Sequence, residues 1–126
     1  MRVLIADDQP QVRSALRLLL RQEPGVTVVG EADDVEQALA LVDEQRPDLV
    51  LLDWELPDLG VVGPAKPAGE RLLSALRARC PGARVIALSG RPEARQAALD
   101  AGADVFVSKG DPPERLLEAV DGCRPR

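Results

Sequence analysis

The chain of 126 residues contains no histidine and no tyrosine, and only one Trp and one Phe. Without histidine there is no Ser-His-Asp or Cys-His catalytic unit and no zinc site built on imidazole. So few aromatics weigh against a base-stacking nucleic-acid platform. Two cysteines, Cys80 and Cys123, are too few for a disulfide framework and fit reduced thiols. No apolar run approaches the roughly 20 residues needed to span a bilayer. The opening Met1-Arg2-Val3-Leu4-Ile5 runs almost at once into Asp7-Asp8, unlike a secretory signal. Together these absences predict a cytoplasmic protein with no membrane role.

What is present suits one globular domain. Apolar residues make up 45% of the chain and charged residues 29%, enough for a single core under a solvated surface. Lys plus Arg number 16 against 21 Asp plus Glu, a net charge of −5. With no long basic stretch, this chain alone is not expected to hold DNA by its phosphates. Abundant Ala, Gly, Pro and Arg fit a GC-rich bacterial coding sequence.

Short apolar runs alternate with segments of helical period. The runs are Val3 to Ala6, Val26 to Gly30, Leu49 to Leu52, Val85 to Leu88 and Val105 to Val107. Three of them are continuously apolar, as in strands covered on both faces of a parallel sheet. Between them lie stripes at helical spacing: Val12, Leu16, Leu19 and Leu20; Val35, Ala38, Leu39 and Val42; and Leu72, Leu73 and Leu76. A weaker fourth, Ala94, Ala97, Ala98 and Ala101, ends at Gly102, and a fifth is carried by Leu116, Leu117 and Val120. This pattern predicts an α/β fold, a doubly wound five-stranded parallel sheet with five flanking helices. One connection is long: Pro57 to Gly69 holds three Pro and three Gly. It is either a tolerated surface insertion or a lid or partner contact.

Open α/β sheets bind ligands at the carboxyl ends of their strands. Those ends carry Asp7-Asp8, Asp53, Ser89-Gly90 and Ser108-Lys109. Three carboxylates gathered at one patch repel one another unless a cation joins them. Oxygen donors without imidazole or thiolate suit Mg2+. Asp8, beyond the strand, is expected as the direct ligand, with Asp7 acting through water. Asp53 then serves as a carboxylate nucleophile toward phosphorus, while Lys109 and Ser89 meet phosphoryl oxygens and Gly90 leaves room beside them.

These segments resemble the receiver domain of bacterial two-component response regulators. The likeness rests on Ile5-Ala6-Asp7-Asp8-Gln9-Pro10, Pro47-Asp48-Leu49-Val50-Leu51-Leu52-Asp53-Trp54-Glu55-Leu56-Pro57, Val85-Ile86-Ala87-Leu88-Ser89-Gly90 and Ala101-Gly102-Ala103-Asp104-Val105-Phe106-Val107-Ser108-Lys109. It spans essentially the whole chain and implies a flavodoxin-like, CheY-like fold. Val28-Val29-Gly30-Glu31-Ala32 and the segment from Pro113 to Val120 resemble the subclass with a helix-turn-helix DNA-binding output domain. The resemblance implies that Asp53 is the phosphoacceptor, fed by a sensor histidine kinase. It also implies that Asp7, Asp8, Asp53 and the backbone carbonyl of Glu55 hold Mg2+. Ser89 and Phe106 would be coupled switch residues that remodel the face of the fourth helix, fifth strand and fifth helix, with homodimerisation on phosphorylation. From the residues alone, Phe106 reads equally as an ordinary core aromatic.

Residues 1–126 are thus expected to be one receiver domain with an inserted loop at about 58–69 and, by preference over a stand-alone receiver, part of a longer regulator whose output domain lies outside this chain. Gly110 follows Lys109 where many relatives carry proline, which leaves that peptide's geometry open. Glu55 and Arg91 flank the phosphoryl site as an expected acid–base pair restricting the attacking water. The chemistry is expected to be self-phosphorylation and its reversal, not turnover. Two alternatives stand: a phosphorylation-independent interaction module, and a haloacid-dehalogenase-like phosphatase. Against the latter, such enzymes typically carry the nucleophile on the first strand.

Overall fold

The computed structural model describes residues 1–57 and 68–125. Five strands, β1 (Arg2–Ala6), β2 (Thr27–Ala32), β3 (Leu49–Asp53), β4 (Arg84–Ser89) and β5 (Val105–Ser108), form one sheet in the order β2-β1-β3-β4-β5. Every pairing is parallel. Five helices connect or follow them: α1 (Pro10–Leu20), α2 (Val35–Gln45), α3 (Ala68–Arg79), α4 (Arg95–Asp100) and α5 (Pro113–Gly122). The expected doubly wound architecture is the one found.

Side-chain alternation along the strands divides the core into two layers. Val3, Ile5, Leu49, Leu51, Ile86, Leu88 and Val107 pack with Leu16 and Leu20 of α1 and with Leu116, Ala119 and Val120 of α5. Their neighbours Leu4, Ala6, Val50, Leu52, Val85, Ala87 and Phe106 pack with α2, with α3 and with Ala98 of α4. All five residues of β3 are buried, so the central strand has no polar face and ends in a buried carboxylate. Helix boundaries follow local chemistry. The Asp34 side chain caps α2 by accepting from Gln37 N–H, and Arg46, in the left-handed region at φ 47°, ends it before Pro47.

Three elements depart from the sequence expectation. Strand β2 reaches Ala32, two residues beyond Gly30, with a register irregularity where Val3 pairs with Val28 and Leu4 with Gly30. Its extra length is hidden in the sequence because Glu31 interrupts the apolar run. The segment expected as one alanine-striped helix divides into a 3-10 turn, Pro92–Ala94, and the six-residue α4, in which Ala97 is exposed and Ala98 is buried. Alanine buries too little surface to fix a long helix against the sheet. Finally, of the inserted loop expected at about 58–69, residues 58–67 lie outside the described residues, while Ala68 and Gly69 belong to α3 rather than to a loop.

Gly69 is buried where the first turn of α3 crosses Trp54. A Cβ there would lie 2.5 Å from Trp54 Cε3 and 2.9 Å from the Trp54 carbonyl oxygen. No helix of the described residues is long and apolar enough to cross a membrane.

Gly69→Ala must push α3 away from the turn after β3. It should destabilise the fold by about 2 kcal/mol, the usual cost of overpacking. Urea unfolding followed by Trp54 emission checks this, with a changed native emission maximum as the accompanying sign; unchanged stability and emission would contradict the packing.

Candidate functional site

The strand order places the site. The chain leaves β2, crosses β1 and enters β3, so the connections diverge between β1 and β3, where doubly wound sheets open a crevice. Ala6 pairs with Leu52, and the next step in that register sets Asp7 against Asp53. On the other side Asp53 pairs with Leu88, and Ser89 with Ser108, which brings Ser89 and Lys109 to the same edge. The Lys109 N–H donates to the Ser89 carbonyl at 2.9 Å and closes the β4 and β5 ends together.

Asp7 is 1% exposed and Asp53 2%, whereas Asp8 lies at the surface. Carboxylate oxygens of all three lie within 4.8 Å of one another. At that separation two ionised carboxylates repel by on the order of 3 kcal/mol at an effective dielectric of about 20. That exceeds the roughly 1 kcal/mol net of an ordinary hydrogen bond, so the cluster needs positive charge. Lys109 supplies the charge present, with Nζ 2.9 Å from Asp7 Oδ2 and 3.4 Å from Asp53 Oδ1.

Hydrogen bonds orient the carboxylates. Asp7 Oδ1 accepts the Gln9 N–H at 2.9 Å, and Asp53 Oδ1 accepts the Glu55 N–H at 3.0 Å. These are local turns that any Asp two residues ahead can nucleate. The Asp7 main chain is fixed as well. Its N–H donates to the Ala32 carbonyl at 2.9 Å, and its carbonyl accepts Arg13 Nη1 at 2.7 Å. Arg13 and Arg17 also pair with Glu31 of β2, so the acidic turn is tied to two elements. Sequence reasoning assigned no role to this brace. Arg13 and Arg17 at i, i+4 signal a shared helix face; that the face meets Glu31 is a tertiary fact.

Burial first, then the negative charge of Asp7, push Asp53 up to about 6; Lys109 and the Glu55 N–H pull the other way, and Asp8 adds a smaller upward push. Burial alone would lower Lys109, but its hydrogen bond to Asp7 and the charges of Asp53 and Asp7 more than offset that and hold it above its usual value.

The remaining candidates are placed as follows. Ser89 is fully buried, yet its hydroxyl donates to Glu55 Oε1 at 2.6 Å and accepts the Arg91 N–H at 3.0 Å. The acid–base pair expected of Glu55 and Arg91 is not formed among the described residues: Glu55 binds Ser89, and Arg91 contributes its backbone. Phe106, 5% exposed, lies inward in the cluster that includes Trp54, Leu56 and Ala98. No peptide bond is cis among the described residues, and Lys109-Gly110 turns tightly as the Gly110 and Asp111 N–H groups return to Ser108.

For a cation, the test is the chemistry of the donor set. Asp7 Oδ2 is buried, and among the described residues its polar partner is the Lys109 ammonium at 2.9 Å. Among the described residues this oxygen stands beside two further carboxylates and one ammonium, an oxygen-rich, net-negative donor set that fits a hard divalent ion.

Residues 3–121 match the family described as the response regulator receiver domain. The chain belongs to that family. It is 34% identical over 120 residues to the nitrate/nitrite response regulator protein NarL of Escherichia coli, covering 94% of this chain and 52% of that protein. It is 38% identical over 123 residues to the transcriptional activator protein ExaE of Pseudomonas putida, covering 95% and 53%. The chain therefore spans about half the length of these curated relatives. Among solved structures, the signal receiver domain of NarL from Mycobacterium tuberculosis superposes with a TM-score of 0.82 at 32% identity, covering 99% of this chain and 97% of that one. RcsB from Salmonella enterica serovar Typhimurium, bound to promoter rprA in the presence of phosphomimetic BeF3−, gives 0.85 at 27% identity, covering 98% and 59%. Receiver-family membership replaces the phosphatase alternative. Receiver domains generally bind Mg2+ in an acidic pocket, and this one has such a pocket in Asp7, Asp8 and Asp53.

The electrostatics set a pH-dependent expectation. Asp53 has a folded-state value of about 6, above its unfolded value of about 4. Between these values the folded state binds the extra proton, so Asp53 subtracts stability as pH rises through that window and subtracts a constant amount above it. Asp53→Asn should therefore stabilise the metal-free protein by roughly 3 kcal/mol near neutral pH, and the gain should vanish as pH falls below about 4. Urea midpoints of both proteins across that range measure it; a gain independent of pH would be inconsistent with this origin.

Proposed function

We propose that this receiver takes a phosphoryl group from a sensor histidine kinase onto Asp53 and uses it to control an output. The observation that carries the reading is Asp53 itself: a buried carboxylate at the crevice between β1 and β3, joined there by Asp7, Asp8 and Lys109. The chain lacks histidine, so a phosphohistidine donor must lie outside residues 1–126.

Asp53 Oδ1 is engaged by the Glu55 N–H and faces Lys109, which leaves Oδ2 as the attacking atom. An O–P bond forms as the donor's N–P bond breaks, and the electron pair leaves with the imidazole nitrogen. With its value raised only to about 6, Asp53 is mostly ionised near neutral pH and ready to attack. Lys109, already at Asp53, neutralises charge on a phosphoryl oxygen while keeping Asp7 compensated. Asp7, Asp8, Asp53 and the main-chain carbonyl of Glu55 are the residues to hold Mg2+. When bound, that ion screens the negative charge of the incoming phosphate.

The chemistry we assign ends with formation and hydrolysis of the acyl phosphate on this chain, not turnover of a free substrate. Ser89 and Phe106 are the proposed switch pair, carrying the change from the phosphoryl site to the α4, β5 and α5 face, with homodimerisation as its consequence. In the domain arrangement we propose, residues 1–126 are the receiver, with an inserted loop at about 58–69. A helix-turn-helix output domain of a longer cytoplasmic regulator would then act on transcription. The relative named as a transcriptional activator, ExaE, matched over about half its length, supports this.

Trp54, the sole Trp, adjoins Asp53 and is 6% exposed. Its emission should change on adding Mg2+ and again with beryllofluoride, and acetyl phosphate should add one phosphoryl mass to the chain. Asp53→Asn should abolish the mass gain, and Lys109→Ala should slow it roughly 100-fold, the scale of one charge-stabilising group. Intact folding with no response to any of these reagents would instead favour a phosphorylation-independent module.

A further inference from the structure

Ser89 has one proton to give. A hydroxyl carries a single O–H donor, whereas phosphoryl oxygens act here as acceptors. That hydrogen bond goes to Glu55 Oε1 at 2.6 Å, at the short end of O–H···O contacts. The Arg91 N–H holds the Ser89 oxygen from another side at 3.0 Å. Glu55 is itself anchored to the acceptor, because its N–H binds Asp53 Oδ1. The acceptor turn and the end of β4 are thus joined by one short side-chain contact between residues 34 apart in sequence.

We propose that Glu55 is a positioning residue whose carboxylate latches the Ser89 hydroxyl, so that a group on Asp53 must win the Ser89 proton from Glu55 before the β4 end rearranges. This rests on Asp53 being the phosphoacceptor. Donation to Glu55 and donation to a phosphoryl oxygen are mutually exclusive, so the latch is a competing state whose strength sets how far modification shifts the population. Glu55 acts on the switch through Ser89, and its exposed side chain can be changed without opening the core.

The test is a beryllofluoride titration of the full chain in Mg2+, read by Trp54 emission, for the native protein, Glu55→Ala, Glu55→Gln, Ser89→Ala and the Glu55→Ala/Ser89→Ala double variant, with circular dichroism to check folding. Glu55→Ala should tighten beryllofluoride binding about fivefold, the scale of one net hydrogen bond. Glu55→Gln removes the charge but keeps an oxygen that accepts from Ser89, so it should gain less. Removing a negative charge would by itself favour an anion, and the double variant separates the two effects. The latch requires the gain from Glu55→Ala to fall to less than about twofold when Ser89 has already lost its hydroxyl. An equal gain in both backgrounds, or no gain in Glu55→Ala, overturns it while leaving the phosphoacceptor reading intact. A native protein that neither responds to beryllofluoride nor gains phosphoryl mass from acetyl phosphate overturns the phosphoacceptor reading, and the latch with it.

Discussion

Carboxylates held close together at the edge of an apolar sheet are the constraint on which the rest of this structure depends. Asp7 and Asp53 are buried at the point where the connections of β1 and β3 part, and one ammonium, Lys109, reaches both. The fold meets much of the cost with directed contacts. Gln9 and Glu55 give N–H groups to the acids, Ala32 receives the Asp7 N–H, and Arg13 holds the Asp7 carbonyl. What is left is a carboxylate, Asp53, whose proton affinity is raised, and an Asp7 oxygen that shares Lys109 with it. A net-negative oxygen cluster of this kind suits a hard cation.

The same site is wired to the two layers of the core. Trp54 directly follows Asp53, and its N–H donates to the Leu88 carbonyl at 2.7 Å, so the turn after β3 leans on β4. The Trp54 ring supports Gly69 at the start of α3 and shares a cluster with Phe106 and Ala98 of α4. Helix α4 is short and anchored by a single fully buried alanine. A weakly docked helix beside a well-packed sheet is the element whose position costs least to change. Rearrangement at Ser89 would therefore be felt first across α4 and β5, while β3, buried throughout, and β1, buried from Val3 on, stay in place.

Most of the frame was legible because its causes are local. Continuous apolar runs mark doubly covered strands, and the stripes of α1, α2, α3 and α5 follow the helical period. The rule that ligands gather at strand ends selects Asp7, Asp8, Asp53, Ser89 and Lys109 from the sequence alone. Legibility fell where burial was thin or polar. Glu31 concealed the last residues of β2 because its charge is met by Arg13 and Arg17 from α1. The alanines of α4 exaggerated its length, because a small side chain keeps the helical period without supplying the packing. Gly69 looked like loop punctuation but is a helix residue stripped of its side chain to pass Trp54.

The sequence by itself determined which chemical types meet at the crevice, since strand order and the period of two carry each strand's last residue to the same edge. Only the tertiary structure decided how those groups are paired. Lys109 divides itself between two acids, Arg91 offers its backbone rather than its guanidinium to the site, and the Ser89 hydroxyl donates its hydrogen bond to Glu55. The reason is physical: periodicity reports which way a side chain faces, whereas the choice of one proton among several acceptors depends on ångström-scale distances between segments far apart in the chain.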